Sequence, residues 1–302
     1  MKKHKICKIL LVILAIFLCV AFYELLGICV AYKKQPEVSN TIKKETQNDS
    51  WNERSENMER AVIIEKNPEA LLQRVRLIRN AKEDIILSTF AFRSDESGKL
   101  ILGALHDAAD RGVHIRLLVD GMESWIDMEG NPYFYGLSSH ENVEIKLYNK
   151  ANPLKPWKMM GRMHDKYLIA DGKRYILGGR NTHNYFLGDF PGHKNYDRDV
   201  LVVCDEPEKE NSVNQLLEYF ETIWEQEDSG YFHDNKKLAN RKSVKNAVLE
   251  LQNGYQKYFE ENKERICDTD YTDETFETEK IALVSNPIHT GSKEPVVWYQ
   301  LG

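Results

Sequence analysis

His164-Asp165-Lys166-Tyr167-Leu168-Ile169-Ala170-Asp171, followed after six residues by Gly178-Gly179-Arg180-Asn181, is the stretch that decides the reading of this 302-residue chain. Apolar runs stand on both sides of Asp171-Gly172, a dipeptide suited to a tight hairpin turn, so residues 164–181 read as two strands joined there. Alternate side chains of a strand share a face, which sets His164 and Lys166 on one side, roughly 6–7 Å apart along the chain. An imidazole beside an ammonium suits a phosphodiester. The imidazole attacks phosphorus, and the cation offsets charge that shifts in the transition state. Asn181 closes the second strand and offers an amide donor to a non-bridging oxygen. Gly178 and Gly179 allow close backbone approach.

Outward from that hairpin the pattern alternates between strand and helix. Asn67-Pro68-Glu69 reads as a helix start with Asn67 as the cap, and Leu71, Leu72, Val75 and Ile78 follow at helical spacing. Residues 84–92 contain a buried-type strand. Ser94 or Asp95 caps a second helix whose apolar face is Ile101, Leu102, Leu105, Ala108 and Ala109, and Gly112 stops it. Residues 113–120, 143–148 and 199–203 read as further strands. Residues 212–224 read as a helix, and another carries Val244, Val248, Leu251, Tyr255 and Phe259. Residues 268–280 read as an acidic loop and 281–284 as one more strand. The alternation predicts an α/β domain, a central mixed sheet flanked by helices.

Composition bounds the rest. Apolar residues make up 42% and charged residues 29%, which allows a sizeable core, and the net charge of −6 disfavours a general nucleic-acid binder. Five cysteines show no metal-ligand spacing. The N-terminus carries Lys2, Lys3 and Lys5, then a mostly apolar run over 6–32, interrupted by Lys8 and Glu24. Its length suits a bilayer span, read as an uncleaved anchor rather than a cleaved signal. Lysines flank it on both sides, so charge assigns no orientation. The expected organisation is a transmembrane anchor over 1–32, a polar linker over 33–60, a catalytic lobe over 61–233, and over 234–302 a helical connection leading into an incomplete second lobe.

The offsets His-x-Lys, four residues, Asp, six residues, Gly-Gly-x-Asn resemble the HKD signature of the phospholipase D superfamily, nearest to bacterial cardiolipin synthases. Phe90-Ala91-Phe92, Asp95, Gly98, the run 104–120, Tyr185-Phe186 and Asp197-Arg198-Asp199-Val200 resemble the first lobe of those enzymes. Around His183-Asn184 the sequence departs from them, where an acid often follows the glycine-rich element. The resemblance implies catalysis by His164, Lys166 and Asp171, with Asp171 orienting the site, and phosphate binding by Lys166, Asn181 and Gly179. It implies a phosphohistidine on His164, protonation of the leaving alcohol by a histidine of a second motif, and neither a metal nor a cofactor. The implied substrate is membrane phospholipid, with phosphatidylglycerol the expected one.

No second His-x-Lys-x4-Asp occurs in the sequence. A homodimer, a second-lobe partner, or a longer enzyme of which this is a fragment would each supply it, and the last is slightly favoured. The leading expectation is a phosphatidyltransferase or phospholipase. The alternatives are a single-motif phosphodiesterase acting on nucleic acid and an inactive fragment. Lys150, Lys155, Lys158 and Arg162 alternate with Leu154, Trp157, Met159, Met160 and Met163. This is either a loop at the site entrance that dips into the membrane interface or a solvated loop. Asp120 and Glu123 read as a polar strand end.

Overall fold

Nine strands hydrogen-bond into one sheet, in the order β8-β4-β3-β2-β5-β6-β7-β1-β9, in the computed structural model, which describes residues 2–33, 59–158, 161–204, 211–233, 237–279 and 281–285. The strands are β1 (Arg60–Ile64), β2 (Asp84–Thr89), β3 (His114–Asp120), β4 (Val143–Tyr148), β5 (Lys166–Ala170), β6 (Arg174–Gly178), β7 (Asp199–Val203), β8 (Ser229–Tyr231) and β9 (Phe276–Glu277). β2, β3 and β4 pair in parallel, and every other neighbour is antiparallel. The helices are α1 (Lys2–Lys33), α2 (Asn67–Asn80), α3 (Glu96–Asp110), α4 (Gly121–Asp127), α5 (Pro132–Ser138), α6 (Ser212–Trp224), α7 (Lys242–Glu261) and α8 (Lys263–Cys267).

The strands are apolar on both faces because both are covered. Ile85 and Leu87, Ile115 and Leu117, and Leu168 and Ala170 face the core built with α2, α3, α5 and α7. Ile86, Leu118, Tyr167 and Ile169 face a second core under α6, where Val213, Leu216, Phe220 and Trp224 are buried. Each such large side chain contributes about 1.5–3 kcal/mol on burial.

Local signals mostly held. Asp95 caps α3 by accepting from Gly98 N, and Gly112 (φ 92°) follows its end. Asp171 (φ 52°) and Gly172 (φ 57°) are both left-handed, as the turn between β5 and β6 requires. Asn67 does not cap α2: the position before the helix is Lys66, with no side-chain cap bond. The Asn67 amide instead donates to Asn195 O (2.9 Å) and accepts from Arg180 Nε (3.2 Å), tying the start of α2 to the segment after β6.

Residues 281–285 form no strand. Ile281 and Leu283 pack against the core under α6, and Leu283 N donates to Gln215 Oε1 (2.9 Å). The expected linker, 33–60, lies almost wholly outside the described residues, as do Met159, Met160 and residues 286–302. Over Lys5–Gly27, α1 is long and apolar enough to cross a membrane, with none of that window buried.

Candidate active site

The carboxyl ends of β2, β3 and β4, the start of β5, the end of β6 and the start of β7 share one edge of the sheet. Ligands of open α/β sheets bind at that kind of edge, and His164, Lys166 and Asn181 stand there.

Neither His164 nor Asn181 lies on a strand. β5 begins at Lys166 and β6 ends at Gly178, so His164 comes from the end of the preceding loop. What holds it is a set of contacts the sequence did not reveal. Asp120, at the end of β3 and 1% exposed, accepts from Arg162 Nε (2.8 Å) and Met163 N (3.1 Å), the two residues before His164. The same carboxylate caps α4 through Met122 N and Glu123 N. Glu123 takes the other side of the Arg162 guanidinium at 3.0 Å. Asp120 and Glu123 are therefore a clamp on the loop that presents His164.

Phe90, just beyond β2, gathers the site. The His164 ring meets it edge-on with centroids 4.8 Å apart, the Arg162 guanidinium lies 4.8 Å from its centroid, and Lys166 Nζ lies 5.3 Å away. Lys166 Nζ also donates to the His164 carbonyl (2.6 Å), which fixes the backbone of the one to the head group of the other. Partial desolvation, with Lys166 and Arg162 alongside, holds the His164 imidazole below its ordinary value. Burial takes the Lys166 ammonium down to about 8, against the opposing pull of Asp165, Asp197 and Asp120.

Asn181 is nearly buried, and its Oδ1 accepts from Ala91 N (3.3 Å), which turns its NH2 group into the available donor. Gly178 and Gly179 are needed for packing. A side chain at 178 would meet Asp199, and one at 179 would meet the Asp197 carboxylate. The Cβ side of Gly179 is thus filled by the Asp197 carboxylate, and its N–H donates to Arg198 O at 3.2 Å. Asp197 itself escaped the reading as a site residue, because it stands sixteen positions after Asn181.

Asp171 does not join His164 and Lys166. It sits at the far end of β5, five residues or about 16 Å beyond Lys166 at 3.3 Å per residue. Its carboxylate accepts from Lys82 N, Glu83 N and Asp84 N at 2.8–3.2 Å, fastening the hairpin turn to the start of β2. Asp171→Ala should therefore cost about 2 kcal/mol of stability, compounded by the left-handed backbone there. Turnover per folded molecule should stay within a few-fold of the unsubstituted chain. Denaturant unfolding beside activity normalised to folded protein would check it, and a thousandfold loss of normalised turnover would return Asp171 to the site.

A cavity of about 350 Å³ opens beside His164, lined on the α6 side by Asp165, Tyr167, Leu216, Tyr219 and Leu283. Tyr219 donates its hydroxyl to Asp165 (2.8 Å), and burial raises both groups. His183 is structural: it is 3% exposed, edge-on to Tyr185 and Phe186, and pushed down to about 4 by burial and by Arg93. Asn184 ties the same segment to Asp95 and Ser97 at the start of α3. Among the described residues, no group of three or more His, Cys, Asp or Glu is placed to hold a metal ion.

The family model described as cardiolipin synthase, PLD-like domain, matches residues 74–224. An uncharacterised protein of Helicobacter pylori strain J99 is 30% identical over 212 residues, covering 65% of this chain and 39% of that protein. Cardiolipin synthase C of Escherichia coli K12 is 28% identical over 171 residues, covering 52% of this chain and 34% of the relative. The matches thus span between a third and two fifths of the length of these relatives. Among solved structures, NucT from Helicobacter pylori aligns over 58% of this chain and 99% of its own, with a TM-score of 0.45 at 18% identity. The phosphatidylserine synthase of Haemophilus influenzae aligns over 73% and 48%, with a TM-score of 0.49 at 16% identity.

Proposed function

Since the chain belongs to the phospholipase D-like family of the cardiolipin synthase type, matched over residues 74–224, we propose that it is a phosphatidyltransferase or phospholipase working through a phosphohistidine on His164. The observation that carries this reading is the gathering of one imidazole and two cations, Arg162 and Lys166, around the Phe90 ring. In the proposed reaction an imidazole nitrogen of His164 attacks phosphorus and the bond from phosphorus to the leaving alcohol breaks. The alkoxide takes its proton from a histidine of a second motif, brought by a dimer mate or another partner. Water then displaces His164 to give phosphatidic acid, or the hydroxyl of a second phosphatidylglycerol does so to give cardiolipin. Lys166 and the Asn181 amide hold the non-bridging oxygens. The relative named cardiolipin synthase C and the apolar α1 support a lipid over a nucleic acid.

Purified full chain offered phosphatidylglycerol vesicles on one side and single-stranded DNA on the other tests the substrate class. Cardiolipin or phosphatidic acid without DNA cleavage is expected, and the reverse would replace the lipid reading with the nuclease one. The pH profile follows from the two shifted groups. The nucleophile must be neutral, so kcat/KM should rise with pH through a His164 value below the ordinary 6.5. The phosphate-binding ammonium must be charged, so kcat/KM should fall as Lys166 loses its proton near 8. Lys166→Arg should remove the fall near 8 and leave only the fall set by the proton-donating histidine of the second motif. A fall left unchanged in that variant would assign it to another group.

A further inference from the structure

We infer that the loop over 149–158 and α4 form a rim that docks in the headgroup layer of the membrane crossed by α1, so that His164 opens directly onto that leaflet. This deepens the lipid reading and rests on it only in taking α1 as a membrane span.

Depth comes first. The apolar window of α1 is Lys5–Gly27, 23 residues, and Tyr23 stands four residues, or about 6 Å at 1.5 Å per residue, before its end. A tyrosine at that level sits where the hydrocarbon meets the headgroups. Its hydroxyl donates to Leu154 O at 3.1 Å, joining the anchor to the tip of the loop that leads into His164. The tip is therefore held at interfacial depth. Its side chains suit that place: Leu154 is 80% exposed, and the neighbouring Lys155 is exposed to meet anionic headgroups.

A second exposed apolar surface stands on α4, whose start is fixed to the base of the same loop. Gly121 packs against the carbonyls of Tyr148 and Asn149 at the base of the loop, and Arg162 bonds Asp120 and Glu123. On the helix fixed in this way, Trp125 and Ile126 are 62% and 66% exposed. Such side chains stay in water at a cost, yet here they stand at the sheet edge that carries the site. The loop is also braced from behind. Asn149 Nδ2 donates to Lys158 O (2.6 Å) and Gly161 O (2.7 Å), and Lys158 pairs with Asp228 at 3.2 Å. A braced loop with bare apolar tips suits insertion into a fluid layer.

The test places an environment-sensitive fluorescent amino acid at position 14, 126, 154 or 249 of the full chain in phosphatidylcholine vesicles containing phosphatidylglycerol. Position 14 reports that α1 is inserted. Leu249 is comparably exposed but stands beside His140, which precedes β4 at the opposite edge of the sheet. Quenching by brominated acyl chains at 126 and 154, and by aqueous iodide at 249, is expected. Leu154→Asp should at least halve the lipid quenching read at 126. Probes at 126 and 154 that iodide reaches as freely as the one at 249 would overturn the rim, as would a position-14 probe left in water. No turnover is read, so failure here is separate from failure of the catalytic reading.

Discussion

On the proposed mechanism, replacing His164 by alanine should lower turnover of phosphatidylglycerol by at least about 10³-fold, because a nucleophile that becomes bonded to phosphorus would have no substitute in the site. The loss should be chemical rather than structural. The His164 side chain is exposed on one side, and its edge-on contact with Phe90 is worth only about 1 kcal/mol. The backbone at 164 keeps its bond from Lys166, since that bond falls on the carbonyl and not on the ring. The variant should therefore unfold within about 1 kcal/mol of the unsubstituted chain. The distinguishing readout is the intermediate. Substrate labelled at phosphorus should leave label on the unsubstituted protein that survives alkali and is lost in acid, as an N–P bond is, and none on His164→Ala. A variant that kept a tenth of the turnover would show that His164 is not the nucleophile.

Adding a second lobe separates two explanations of a silent preparation. If the isolated chain makes no product, recovery on mixing with a chain that supplies a histidine of a second motif would keep His164 as nucleophile and assign proton donation to the partner. Continued silence would leave the chain as a binding module.

How much of this was legible follows the range of the interactions involved. Residues 212–224 carried their helix in plain 3.6-residue periodicity, and the bounds of α6 agree. Residues 143–148 likewise appear as β4. These signals are local: each is written in the spacing of its own apolar residues. α4 and α5, seven residues each, carry too few turns for a period to show, and they owe their starts to Asp120 and Asn131 accepting from the following amides. Within the site, the pairing of His164 with Lys166 was legible because they stand two positions apart, with only Asp165 between them. The Asp120 clamp was not, because it joins positions 42 and 43 residues apart. Asp171 shows the opposite failure. Its fixed offset from Lys166 suggested chemistry, while the geometry gives it a turn to hold together.

The largest effect on stability should come from Asp199→Ala. Asp199 receives two guanidiniums, Arg74 at 2.9 Å and Arg180 at 3.3 Å, and the side chains of Asp199 and Arg180 are fully buried. Removing the carboxylate leaves two cations without their counter-charge in the interior, a change that costs about 3–5 kcal/mol. At roughly 2–4 °C per kcal/mol for a domain of this size, Tm should fall by about 10 °C. The same cluster builds the site floor. Arg180 donates to Ile64 O, Glu65 O and Asn67 Oδ1, and it is the residue before Asn181. Losing Asp199 should therefore loosen the Asn181 amide as well, so that turnover falls even at temperatures where the variant remains folded. Arg198→Ala is the matched control. Arg198 and its partner Glu65 are exposed, their 3.0 Å contact is screened by water, and the substitution should cost no more than about 0.5 kcal/mol. Thermal unfolding of the two variants side by side separates the cases. Equal shifts would mean that the buried cluster contributes no more than a surface pair.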